Sequence, residues 1–513
     1  MMQQDDPAKL LYQANEVRAL DRHIIEGFSI PGIELMERAA RFSLNSLLER
    51  WPNTQSITVL CGTGNNGGDG YILAALACQK NLTVTLVAVG SPSKLRGDAL
   101  SAYKMALDAG LTVKSLSDQK QSGQDFAGFQ DEHTVIVDAM LGTGINKEVE
   151  GDYATAILLC NDSQAPILAI DIPSGLSSDT GQPLGPTIEA ELTCTFIGKK
   201  IGLMTGQGRS YTGELKFHSL GAPARAYEEV KASADILSLS ALNKKITARP
   251  LHAHKGRYGH VLLIGGNKGY GGAISLAAQA CARMGAGLTS VATHPDHIYS
   301  LLSRCPEVMT KGVTHANQLA SLLDAASVIV IGPGLGRDAW AEQMLYHAIQ
   351  TDKPMILDAD ALNLIASKPQ WLTNNFAPRI FTPHPGEAAR LLACSTDGAE
   401  SDRLSTLHQL NKKFGCHIVL KGSGTLICDS DGNTSLCPYG NPGMASGGMG
   451  DVLSGILGAL WAQTEWDKNF ATRLAVSLHA KAADIAAQTK GERGLLASDL
   501  IPIARALLNA KPV

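Results

Sequence analysis

Apolar residues recur three and four positions apart in YQANEVRALDRHIIE and GIELMERAARFSLNSLLERW, which predicts two amphipathic helices within the first ~50 residues. The period then changes. SITVLCG is a short apolar run, GTGNNGGDG a glycine-rich break and YILAALACQK a helical stretch; NLTVTLVAVG, TVIVDAM, PILAIDIPS and ELTCTFIG read as further strands. Apolar strands alternating with glycine turns and helices predict a parallel sheet covered on both faces.

The alternation stops at AYEEVKASADILSLSALNKK, roughly residues 227–245, which is polar, lacks a strand pattern and reads as a linker with the start of a new domain. It resumes with GHVLLIGG, SVIVIGPGLG, KPMILDAD, RIFTPHPGE and CHIVLKGSG. The expectation is an α/β protein of two domains, residues 1–228 and 229–513. The halves share a style but no period, so they are not an internal repeat. In open parallel sheets ligands bind beyond the carboxyl ends of the strands. The polar residues after each apolar run are therefore the candidates for chemistry.

Composition narrows the picture. A chain of 513 residues exceeds one ordinary core. A net charge of −4 gives no global attraction to nucleic acid or anionic membrane. No apolar run approaches the roughly 20 residues needed to cross a bilayer, and MMQQDDPAKLLYQ has neither the basic region nor the apolar core of a signal peptide. The ten cysteines, among them Cys61, Cys194 and Cys281, sit mostly in apolar contexts without metal-ligand spacing. These features predict a cytoplasmic protein with reduced thiols and small-molecule partners.

In the first half, GTGNNGGDG lies between strand and helix, as a phosphate-binding turn does, and its glycines would let the backbone approach an anion. No Lys-Ser/Thr pair follows, so it is not a Walker loop. Asn65, Asn66 and Asp69 exceed what a plain turn requires. Asp138 closes TVIVDAM, and Asp171 closes PILAID with Ser174 just after it. An aspartate there can simply cap a turn. Three oxygen-rich strand ends together suit a hard cation or a hydroxyl-rich ligand.

In the second half, NPGMASGGMGDVLSGILGAL sets Gly447, Gly448 and Gly450 at a helix start. Converging N–H groups there would make an anion hole without a lysine reaching in. Asp451 follows where it could take a proton from an attacking hydroxyl, and the helix dipole would hold it ionised. His384, between two prolines in TPHPGE, is a candidate ligand-facing residue. The basic segment HAHKGRYGH could reach a phosphate or stay solvated, and His479 reads as a helix residue satisfied locally.

GTGNNGGDG, DAMLGTG and DIPSGLSSDTG resemble the epimerase domain of the NAD(P)H-hydrate repair family over about residues 10–220. TPHPGE and NPGMASGGMGD resemble the ADP- or ATP-dependent NAD(P)H-hydrate dehydratase branch of the ribokinase-like superfamily over about residues 240–510. The resemblance implies a Rossmann-like first domain and a ribokinase-like second one. It places hydrated NADH or NADPH on Asn65, Asn66, Gly67, Gly68 and Asp69, on the loop Gly142, Thr143, Gly144, Ile145, Asn146, Lys147 and Glu148, and on Asp171, the nearest catalytic candidate. It places potassium on Asn66, Asp138 and Ser174. In the second domain it places the hydrate on Ala273, Gly336, His384 and the base Asp451. ADP falls on Lys421, Gly422, Ser423, Gly424, Thr425 and Gly450, with Mg²⁺ across the phosphates, and the assembly is expected to be a homo-oligomer. Two rivals stay open at this stage: a small-molecule kinase in the second half, and a dinucleotide-binding module without chemistry in the first.

Overall fold

The structure, a computed structural model, describes residues 6–116, 133–372 and 377–509. The chain divides into two compact units, Met1–Asp235 and Ile236–Val513.

The first unit opens with strand β1 (Leu10–Tyr12) and the helices Ala14–Gly27 and Gly32–Arg50. Its main sheet contains β2 (Ser56–Cys61), β3 (Thr83–Ala88), β4 (Val113–Ser115), β5 (Thr134–Ala139), β6 (Ile167–Ile170), β7 (Leu192–Phe196) and, after the two-residue β8 (Lys199–Lys200), β9 (Glu214–His218). The order is β4-β3-β2-β5-β6-β7-β9, with every neighbouring pair parallel. Alternation along single strands explains why the runs are apolar throughout. Ile57, Val59 and Cys61 of β2 face one buried cluster with the first two helices, while Leu60 faces another with Ala156, Ile157 and Cys160 of helix Gly151–Asn161. A strand buried on both faces needs no polar positions.

The segment that lacks a strand pattern in sequence contains β10 (Ala234–Ile236) and the short helix Leu239–Asn243, capped by the Ser238 hydroxyl. Ala234 and Asp235 pair with β1. Three residues are too few for a two-residue period to show, so the strand was invisible in sequence.

The second unit carries β11 (His260–Ile264), β12 (Leu288–Thr293), β13 (Met309–Gly312), β14 (Val328–Ile331), β15 (Met355–Leu357), β16 (Arg379–Phe381), β17 (His417–Leu420), β18 (Thr425–Cys428) and β19 (Thr434–Cys437). Their order is β13-β12-β11-β14-β15-β16-β17-β18-β19, parallel as far as β17 and antiparallel beyond. Helices Gly271–Arg283, Met449–Ala462, Lys468–Lys490 and Ala497–Leu508 bury one face of this sheet in a single large core. Helix Met449–Ala462 lies very close to its neighbours. A methyl group at Gly455 would sit 2.1 Å from the Ala277 carbonyl oxygen, and one at Gly458 would sit 2.5 Å from a Val330 methyl.

Candidate active sites

In the first unit the sheet order reverses between β2, which neighbours β3, and β5 on its other side; a crevice opens at such a switch point. The three oxygen-rich motifs follow β2, β5 and β6, which are adjacent. The helix begins at Asn65, inside the glycine run rather than after it. Gly67 and Gly68 are buried, and a methyl at Gly67 would lie 2.1 Å from the Gly62 carbonyl oxygen. Gly67 lets the helix start close over the end of β2, and Gly68 lets it pack against Met36 and Ala99 of neighbouring helices, where the sequence suggested open N–H groups. Asn65 faces outward.

Asn66, Asp138 and Ser174 form one connected set. Asp138 is fully buried and accepts from the Ser174 hydroxyl at 2.6 Å, the Ser174 N–H at 2.7 Å and the Met140 N–H at 3.1 Å. Leu141 joins the two others: its N–H donates to Ser174 Oγ at 2.8 Å and its carbonyl accepts from Asn66 Nδ2 at 3.0 Å. Burial pushes the Asp138 carboxyl up to about 6 against those hydrogen bonds. Asn66 Oδ1 is buried without a hydrogen-bond partner. An oxygen set with one orphaned acceptor and one buried carboxylate without a counter-charge suits a hard cation. The loop 142–148 starts against this set, since a methyl at Gly142 would lie 3.4 Å from Asn66 Cβ, and Gly144 and residues 146–148 are exposed.

Asp171 sits at the end of β6 with φ of 66°, at the centre of a tight turn in which Ile172 N–H bonds to the Ile170 carbonyl at 2.8 Å. Such a left-handed non-glycine residue is strained and recurs at functional sites. The turn aims the carboxylate at Lys200, which sequence reasoning passed over. The Lys200 side chain is 1% exposed; its ammonium ion-pairs with Asp171 Oδ1 and donates to Thr195 Oγ1 at 3.1 Å and to the Phe196 carbonyl at 3.3 Å. Two further carboxyls feel this charge. Asp69 is held well above the ordinary carboxylate range by burial and by repulsion from Asp171 and Asp21, against attraction to Lys200. Burial raises Asp21 to about 6, again opposed by Lys200. One cation among three carboxyls lets neutral and ionised carboxyl groups coexist, the arrangement that acid–base exchange requires. The lysine pair inside the apolar stretch TFIGKKIGL was the readable signal for Lys200; nothing distinguished Asp21 from other charges on its helix.

In the second unit GGNKGYGG, GPGLG, DAD, TPHPGE and KGSGT follow β11, β14, β15, β16 and β17, five adjacent strands. Above them stands the tip of helix Met449–Ala462. Its cap is Gly448, with φ of 91° and no side-chain cap, and the first helical hydrogen bond is Val452 N–H to Gly448 at 3.1 Å. The N–H groups of residues 449–451 thus lie ahead of that first bond, without an acceptor one turn earlier in the helix.

Lys421 does reach in, against the sequence expectation. Its Nζ lies 3.3 Å from where a Gly450 methyl would be, 2.8 Å from Asp358 Oδ1 and 3.8 Å from Glu387. Asp358 is buried, and its second oxygen accepts from Ser454, one turn along the same helix, at 2.7 Å. Burial opposes both charges of the Lys421–Asp358 pair, but mutual attraction wins: the ammonium is held above its ordinary range and the Asp358 carboxyl below it. Asp451 is raised to about 7 by burial first and Asp358 second, with Lys421 opposing. Desolvation and a like charge outweigh the helix dipole that was expected to keep it ionised.

His384 caps helix Pro385–Leu392, its Nδ1 accepting from Gly386 N–H at 3.0 Å and Glu387 N–H at 3.3 Å. Burial, Lys421 and Arg390 lower its pKa, and its Nε2 lies 3.4 Å from Glu387 Oε1. Gly336 donates its N–H to Asp360 at 3.0 Å, and a methyl at neighbouring Gly334 would touch Ala273 Cβ at 3.2 Å, so these two loops meet. His479 is not satisfied locally. It is buried, its Nε2 has no hydrogen-bond partner among the described residues, and burial lowers it to about 4. His260 begins β11 and bonds to Ala325 and Ser290, which puts the basic segment at the opposite end of the sheet from these motifs.

The two sets of strand-end residues give each α/β unit its own group of polar residues at the carboxyl ends of its strands. Residues 32–202 match the family described as YjeF-related protein N-terminus, and residues 261–505 match the family described as NAD(P)H-hydrate dehydratase. The bifunctional NAD(P)H-hydrate repair enzyme Nnr of Coxiella burnetii is 43% identical over 500 residues, covering 98% of this chain and 99% of that protein. The enzyme of the same description from Escherichia coli K12 is 40% identical, covering 97% and 94%. Among solved structures, the ADP/ATP-dependent NAD(P)H-hydrate dehydratase from Bacillus subtilis, co-crystallised with ATP/Mg²⁺, is 29% identical, covers 53% of this chain and 96% of its own, and has a TM-score of 0.48. The chain belongs to the family of bifunctional NAD(P)H-hydrate repair enzymes. Among the described residues no helix is long and apolar enough to cross a membrane.

Proposed function

We propose that residues 1–228 interconvert the R and S forms of hydrated NADH and NADPH, and that residues 229–513 dehydrate the S form while ADP becomes AMP and phosphate. The observation that carries the second activity is Asp451 beside an open helix tip with Lys421 at its edge. Asp451, once ionised, takes the proton of the substrate's ring hydroxyl, and that oxygen attacks the terminal phosphorus of ADP as the bond to AMP breaks. The open N–H groups and Lys421 hold the phosphoryl oxygens as charge shifts. The carbon–oxygen bond then breaks, pushed by the ring nitrogen's lone pair, and phosphate leaves. Loss of the neighbouring ring proton restores the reduced nicotinamide.

Residues 421–425 would hold the nucleotide, and Ala273, Gly336 and His384 the hydrate. Among the described residues no group of three or more His, Cys, Asp or Glu side chains is placed to hold a metal. Mg²⁺ would accordingly be carried by the nucleotide's own phosphates, whose charge it neutralises. In the first unit Asn66, Asp138 and Ser174 would hold potassium beside the hydrate's anionic groups. Asp171, aligned by Lys200, accepts the proton of the hydroxyl as the carbon–nitrogen bond breaks, the protonated Asp69 supplies a proton to the released nitrogen, and both transfers reverse as the ring recloses on the other face. All ten cysteines are free thiols, which supports a reducing, cytosolic compartment. The same reading takes the working assembly to be a homo-oligomer.

The test is incubation of the full chain with resolved R and S hydrates, with and without ADP. Reduced nicotinamide should reappear from S only with ADP; pure R should epimerise to a mixture of R and S without ADP, and should be consumed completely only when ADP drains S. Accumulation of a stable phosphorylated alcohol, or recovery independent of ADP, would overturn the reading.

A further inference from the structure

The turn KGSGT is backed by a buried cation. Arg403 opens helix Arg403–Phe414, and its side chain is 1% exposed. Nη2 donates to the carbonyls of Leu420 and Lys421, each at 3.3 Å, and Nη1 meets Glu400 at 3.1 Å. Gly422 has φ of 144°, and a methyl there would lie 2.6 Å from Nη1, so the guanidinium occupies the space a side chain would need.

A guanidinium is an expensive way to fill a core, since an aliphatic side chain would do so without burying charge. What it adds is direction. In a trans peptide the carbonyl and the next N–H point opposite ways. The Lys421 carbonyl turned inward onto Arg403 therefore turns the Gly422 N–H outward, on the exposed side of the turn. The Lys421 N–H is itself tied to the Pro383 carbonyl at 2.9 Å, which fixes the preceding peptide as well.

We infer that Arg403 is a positioning residue for nucleotide: it presets the main chain of residues 421–422 so that the Gly422 N–H faces the phosphates of ADP. This rests on the reading of 421–425 as the nucleotide turn. The test uses the full chain with Arg403→Met and Arg403→Lys. ADP affinity is measured by calorimetry, and KM for ADP and for the S hydrate are measured separately. Arg403→Met should weaken ADP binding about tenfold, the equivalent of one directed hydrogen bond, and raise KM for ADP alike. KM for the hydrate and epimerisation should be unchanged. Arg403→Lys, which keeps the charge and one carbonyl bond, should recover part of the loss.

Unchanged ADP affinity in Arg403→Met would overturn the inference, as would parallel rises in both KM values with no recovery in Arg403→Lys. If Arg403→Met does not fold, Arg403→Lys decides by the same measurement: weaker ADP binding supports the role, and wild-type affinity refutes it. A wild-type chain that binds no ADP overturns both this inference and the function it rests on. One that binds ADP but repairs no hydrate overturns the function alone, while the variants still decide the role of Arg403.

Discussion

Asp451→Asn should abolish repair and, above neutral pH, make the second unit more stable. The carboxyl is raised from 3.8 to about 7, chiefly by burial and next by Asp358. Between those two values the folded state holds a proton that the unfolded state has released. Stability therefore falls as pH rises through that window and levels off above about 7. Three units at about 1.4 kcal/mol each set a ceiling of about 4 kcal/mol. Partial exposure of the side chain and the loss of a favourable acidic residue in the first helical turn, worth about 0.5 kcal/mol, reduce the expected net gain to about 1–3 kcal/mol. Asparagine never carries the charge, so the gain should be full near pH 8 and shrink toward pH 4. Four of the five tryptophans, Trp340, Trp371, Trp461 and Trp466, lie in the second unit, so denaturant unfolding followed by tryptophan fluorescence mainly reports that unit. A variant less stable than wild type near pH 8, or a gap that does not close on acidification, would refute the argument that burial and Asp358 place a strained charge at the helix tip.

The same titration predicts that kcat/KM for ADP-dependent repair rises about tenfold per pH unit below about 7 and is flat above, checked by initial rates across pH. Lys200→Met strands three carboxyls around an empty centre; epimerisation should drop at least about a hundredfold, with a stability loss of about 3–5 kcal/mol in the first unit, while repair of pure S hydrate persists. Asn66→Ala should remove any stimulation of epimerisation by potassium over tetramethylammonium, measured by exchanging the salts at constant ionic strength. Gly455→Ala, which drives a methyl to 2.1 Å from the Ala277 carbonyl oxygen, should lower stability by about 1–3 kcal/mol in thermal or denaturant unfolding.

The central strands were legible where burial on both faces writes itself as unbroken apolar runs, as in TVIVDA and VIVI; the partly exposed β4, β9 and β13, and β12 and β19 with their buried Ser and Thr, show no such run. The motifs were legible because each run ends in residues a buried strand would not tolerate. What escaped depended on distance in sequence. Lys200 matters because β8 brings it under Asp171, 29 residues earlier. Asp358 matters because the fold joins it to Lys421 and Ser454, 63 and 96 residues away. The proton affinity of Asp451 could not be read from its helix alone, since the dipole points one way and the buried surroundings the other. Gly67 and Gly68 looked like ligand-facing backbone; only tertiary packing reveals them as contact points between elements.

Because Gly455 and Gly458 bring their helix backbone to within a methyl's width of the neighbouring helix and strand, that helix has no room to slide or roll when a nucleotide arrives. On the proposed function, the phosphoryl group would meet a fixed stop rather than a jaw that closes on it. A donor with a longer phosphate chain must therefore fold its own excess length into the crevice, since the protein end of the contact cannot retreat.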